Sequence, residues 1–245
     1  SIAAPFTIHG KNVGAITDII RQGRCTLVTT LQMYFILALN SLVTAYALSV
    51  LHLKGVRFGD AQMTVSALVT TFCFLFISRA KPLQRLYARK PQNRIFSPWF
   101  LFNLIGQFAV HLVSLIGVVS YAEVLVDKAV LTKAQEFAPN VLNTSVFLIS
   151  TVMALNTFAV NYQGHPFMES LWDNKPLRNC IGVAYAFMAL ATMGSLNKPL
   201  QLALIPGDLK QIILGLMLAD AAGCWVWNKL VSLVFSRFNE RKIEA

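Results

Sequence analysis

The chain predicts an all-α membrane protein, a bundle of six transmembrane helices, on three observations. Of its 245 residues 56% are hydrophobic and only 13% are charged, a balance that belongs to chains crossing a bilayer repeatedly. Six apolar stretches, each near the ~20 residues that span a ~30 Å hydrocarbon core, alternate with short polar segments. Lys and Arg gather on every second connection: fifteen on one set of segments against six on the other. That bias orients the chain with both ends in the cytosol. The net charge of +10 therefore sets topology. It does not point to nucleic acid, because no basic stretch is interleaved with stacking residues on a soluble fold.

Residues 1–22 read as a cytosolic connector, with Gly10 and Gly14 as breakers, and the absence of an opening Met reads as a piece of a longer protein. The first span covers about 25–51. It follows Arg21 and Arg24 and then carries a polar stripe: Cys25, Thr26, Thr29, Gln32, Asn40 and Thr44 fall within about 120° of one another at 100° per residue. Leu27, Leu31, Phe35, Ala38 and Leu42 fall opposite. Lipid leaves amides and hydroxyls without partners, so the stripe must face protein or water, either as an interhelical seam or as the lining of a pathway.

Gly55 and Gly59 break the chain before a second span at about 61–78. The basic segment 79–94 follows and holds no acid. Ser97-Pro98 makes a helix start near the head of the third span, about 95–122, where Asn103, Gln107, His111 and Ser114 share one face. A mixed loop with Pro139 leads to the fourth span, about 141–160, which carries Ser150, Thr151, Asn156 and Thr157. The fifth, about 179–196, is rich in Ala and Gly and suited to close packing. The sixth, about 211–228, holds Asp220 and an interfacial pair, Trp225 and Trp227, and residues 229–245 form a cytosolic tail. Asn143-Thr144-Ser145 is a sequon, but it abuts the fourth span and is expected to stay unmodified.

Asp220 is the one acid well inside a span. A carboxylate there costs at least ~2.5–3.5 kcal/mol, so it must face the bundle with a partner, His111 among the candidates, or carry a proton. The sequence has no His, Cys or carboxylate group at metal-ligand spacing, and no metal site is assigned; the four cysteines are expected as free, packed thiols. Catalytic residues are assigned to none of the positions, since no hydrolytic triad or glycine-rich phosphate loop is present.

Several runs are longer than physics alone requires. SIAAPFT (1–7), IIRQGRCTLVTTLQMY (19–34), ILALN (36–40), CFLFISRAKPL (73–83), QFAVH (107–111), EFAP (136–139) with LNT (142–144), and TFAVNYQGHPFME (157–169) together resemble the type 5A P-type ATPases of the endoplasmic reticulum. The resemblance implies the fifth to tenth core helices of such an enzyme, at its C-terminal end. It implies a multi-pass protein of that membrane whose ATP hydrolysis, through an aspartyl-phosphate in a cytosolic domain, drives extraction of misinserted or mistargeted transmembrane helices. ATP and Mg²⁺ would then serve the parent protein, with no cofactor in this portion. Partners would be membrane lipids, client helices such as tail-anchored proteins, and the remaining domains of the same polypeptide. Phe35 and Ala154 depart from the family's usual Lys and Gln, so polar contacts at those positions do not carry over.

Thr29, Gln32, Asn40, Thr44, Asn103, Gln107 and Asn156 are the substrate-cavity candidates, with Asp220 and His111 as intramembrane ionisable groups. An ion pump strips water from a hard cation with clustered carboxylates. Hydroxyls and amides in their place suit a bulkier, less charged cargo. The competing readings are a cation-transporting P-type ATPase membrane domain and a stand-alone six-span carrier.

Overall fold

A computed structural model describes residues 14–88, 90–92, 94–126 and 137–241. The 1–13 part of the connector, Arg89 of the basic segment, Glu136 of the EFAP run and 242–245 of the tail lie outside the described residues. Among the described residues six long helices follow one another: α1 (Gly14–Leu53), α2 (Asp60–Ser78), α3 (Pro98–Val124), α4 (Val141–Asn161), α5 (Lys175–Met193) and α6 (Gly207–Arg241). Five are long and apolar enough to cross a membrane; α5 is not among them, because Lys175, Pro176 and Arg178 fill its first turn.

Helix boundaries depart from the expected spans because hydropathy marks the membrane while caps mark the helix. The first helix starts at Gly14, so 14–22 is helical. Ser97 caps α3 by accepting from the Phe100 N–H at 3.2 Å, which moves the start from 95 to Pro98. Asn174 caps α5 by accepting from Leu177 N at 3.2 Å, and Gly194, at φ 96°, ends it. That helix therefore runs 175–193 in place of 179–196. The sixth runs on through the expected tail to Arg241.

The core sits around α4. Of its membrane window 83% is buried, against 17–39% for the other four. It is wedged among all five neighbours, with Phe147, Leu148, Met153, Leu155 and Phe158 fully enclosed. Two glycines let α3 and α6 meet: a Cβ at Gly106 would collide with the Trp227 indole, and one at Gly223 would stand 2.9 Å from Val110. Trp227 is thus a wedge against α3, donating to Phe102 O at 3.2 Å, while Trp225 is the exposed member of the pair expected at the interface. Phe35, placed by its period on the oily side of α1, is buried, with its ring edge-on to Phe100 at 5.0 Å. The basic segment wraps the base of α1, where Arg21 donates to Gln84 O and Arg24 to Tyr87 O.

Candidate functional site

Between α1 and α2, floored by α4, runs a groove of about 500 Å³. Its walls carry Asn40, Ser41 and Thr44 from α1 and Ser66 and Thr70 from α2, with Ser150 on the floor. Most hydroxyls are already satisfied: Thr70 donates to Ser66 O at 2.9 Å, Ser150 to Phe147 O at 3.3 Å, and Ser66 pairs with Thr151 at 2.8 Å. Asn40 differs. Its carbonyl accepts from Thr157 Oγ1 at 2.8 Å, while its amide nitrogen is buried with no partner. Phe58, Met63 and Phe147 supply the apolar part. The groove offers a low-polarity surface, exposed hydroxyls at Ser41 and Thr44, and no carboxylate.

The remaining polar residues are used elsewhere. Thr29 and Gln32 are buried nearer the start of α1: Thr29 donates to Met168 Sδ at 3.4 Å, and Gln32 accepts from Gln163 N at 2.8 Å, seating the 162–170 loop. Asn103 and Gln107 belong to an amide ladder joining α3, α4 and α6. Gln107 and Asn161 exchange two hydrogen bonds of 2.8 Å, Gln107 also donates to Asn103 at 3.0 Å, and Asn103 donates to Asn228 at 3.0 Å. Asn156 donates to Asp220 Oδ2 at 2.8 Å and accepts from Tyr185 Oη at 2.6 Å. Asp220 Oδ1 shares a 2.8 Å hydrogen bond with His111 Nδ1. Of the seven cavity candidates, only Asn40 and Thr44 line the groove.

Ser66, Thr70 and Ser150 were not singled out, although Ser66 and Thr70 stand one helical turn apart, the same signal that marks α1. Asn143 of the sequon is fully buried and donates to Arg57 O, while its carbonyl accepts from Gln62 Nε2 at 3.1 Å. Its nitrogen is unavailable to a glycosyltransferase. At the far end, the Ser170 hydroxyl and then its N–H hold the exposed Asp173 carboxyl below the ordinary carboxylate range.

No family model matches the chain. It is 41% identical over 248 residues to the endoplasmic reticulum transmembrane helix translocase spfA of Aspergillus fumigatus, covering 99% of this chain and 19% of that protein. The endoplasmic reticulum transmembrane helix translocase of Saccharomyces cerevisiae is 44% identical over 92% of this chain and 19% of its own length. A protein named probable manganese-transporting ATPase PDR2, from Arabidopsis thaliana, is 42% identical over 96% of the chain and 20% of its own length. The chain thus spans about a fifth of the length of the curated relatives it matches.

Proposed function

We propose that this chain, which belongs to the type 5A P-type ATPases of the endoplasmic reticulum, forms the membrane portion of an ATP-driven enzyme that draws misinserted or mistargeted transmembrane helices out of that membrane. Its six helices stand for the fifth to tenth core helices at the C-terminal end of the polypeptide. Both ends face the cytosol, as the Lys and Arg bias requires.

The observation that carries this reading is the groove on α1, α2 and α4. A client helix leaving lipid needs apolar contact along most of its length and a partner for its few polar groups. Leu37, Leu48 and Phe58 supply the first, and the exposed hydroxyls of Ser41 and Thr44 the second. No reaction takes place there; the groove holds cargo while the motor acts elsewhere.

The motor's ATP and Mg²⁺ do not fit the residues present. Among the described residues the one group of three potential metal ligands is His111, Asp220 and Cys224, deep inside the bundle, where no nucleotide reaches. The aspartyl-phosphate step therefore belongs to the remaining domains of the same polypeptide.

A cation-pump reading is favoured by the name of the Arabidopsis relative. It is opposed by the groove lining, which holds no carboxylate to replace a hard cation's water. The experiment is photocrosslinking from Ser41 and Thr44 in the full-length enzyme trapped in mid-cycle. Adducts to a client helix are expected. Adducts to lipid alone, with ATPase activity stimulated by a metal ion and not by clients, would replace this reading with the pump.

A further inference from the structure

Beside the amide ladder, and apart from the groove, α3 and α6 bring together three side chains of different ligand chemistry. His111 Nδ1 is 2.8 Å from Asp220 Oδ1, and Cys224 Sγ is 3.8 Å from His111 Nδ1 and 3.6 Å from Nε2. Their donor atoms all lie within 4.8 Å of one another, and all three residues are buried. From these distances we infer that His111, Asp220 and Cys224 form a binding site for a borderline-soft divalent metal ion of the zinc class, held between α3 and α6.

Three arguments carry the site. The first is span: at tetrahedral angles an ion bonded at about 2.0–2.1 Å to nitrogen, about 2.0–2.2 Å to oxygen and about 2.3 Å to sulfur holds nitrogen and sulfur about 3.6 Å apart and nitrogen and oxygen about 3.4 Å apart. The nitrogen–sulfur separations of 3.6 and 3.8 Å already match, and the His111–Asp220 hydrogen bond of 2.8 Å has to open by about 0.6 Å to admit the ion. The second is donor type. Imidazole, carboxylate and thiolate together select zinc-like ions over Mg²⁺ and Ca²⁺, which take oxygen alone. The third is charge. A thiolate and a carboxylate cancel a divalent cation, while His111, Asn156 and Tyr185 add none, so the loaded site is neutral in a medium that penalises net charge.

The surroundings are built to hold such a ligand set. Asn156 grips the second carboxylate oxygen at 2.8 Å and is itself held by Tyr185 at 2.6 Å, the outer-shell support that orients metal-binding carboxylates. His111, Asp220 and Cys224 are each at most 1% exposed, so the ion is a resident one that staples the helices and is not cargo. The sequence hides the site because only Asp220 and Cys224, four residues apart, share a helix.

Cobalt reports thiolate ligation directly. Co²⁺ titrated into the purified full chain in detergent is expected to give one equivalent of a sulfur-to-cobalt charge-transfer band, displaced by Zn²⁺. The band should vanish in Cys224→Ser, weaken at least tenfold in apparent affinity in His111→Gln, and persist when Cys73 and Cys180, whose sulfurs stand 4.0 Å apart, are both replaced by Ser. No band in the wild type, or one that survives Cys224→Ser, overturns the site. Should Cys224→Ser fail to give monodisperse protein, X-ray absorption of the zinc-loaded wild type decides. One sulfur with one imidazole supports the site; two sulfurs, or none, overturn it.

Discussion

Asn40 concentrates the conflict between stability and use. A buried donor without a partner costs about 1–3 kcal/mol, and its neighbouring bond to Thr157 returns about 1. Asn40→Leu is accordingly expected to change thermal stability in detergent by less than ~1 kcal/mol while reducing client crosslinks from Thr44; a large loss of stability with crosslinking intact would make Asn40 a structural residue. Asp220 stands at the other extreme. Both of its oxygens are bonded and neither touches solvent. Asp220→Leu strands His111 and Asn156 and should cost about 3–5 kcal/mol, measured as a lowered unfolding midpoint. Asp173 gives a pH signature outside the membrane. Its folded carboxyl is depressed below the ordinary carboxylate value by Ser170, so its contribution is complete above that ordinary value and fades as pH falls through the lower, folded one. Amide exchange of the 170–175 turn should accelerate only in that acid window, and Ser170→Ala should abolish the dependence.

Among elements, the α3–α6 pair is set by absence of side chain. Gly106 leaves the space that Trp227 fills, and Gly223 leaves the space beside Val110. Gly106→Ala should push the helices apart, cost about 1–3 kcal/mol by overpacking and break the Asn103–Asn228 bond; a paired Trp227→Leu should recover part of the loss. The head of α4 is fixed just as firmly. With Asn143 pinned between Arg57 and Gln62, endoglycosidase should leave the electrophoretic mobility of the membrane-integrated protein unchanged.

At the scale of the whole molecule, α4 is the buried axle, and α1 and α2 pack against it. The groove lies where these meet, and on the proposed topology it sits in the half away from the basic collar. A cysteine at His165 should then react with a membrane-impermeant maleimide from the cytosolic side of sealed vesicles, and one at Lys198 only after the vesicles are opened. The reverse pattern would invert the bundle and, with it, the direction in which cargo enters.

The sequence by itself determined the class, the six helices and the family. Apolar length, cap residues and charge bias are local quantities, and local quantities survive being read one residue at a time. It marked the polar residues as well, but left open which of Gln32, Asn40, Gln107 and Asn156 line a cavity and which join helices in a seam. Only the tertiary structure decided that α4 is the centre, because burial depends on how many neighbours surround a helix and not on its own hydropathy. Only the fold separated the groove from the seams and brought His111 to Asp220 and Cys224. Distances between helices follow from which side chains interlock at each crossing, as Gly106 and Trp227 do, and no periodicity within one helix contains that information.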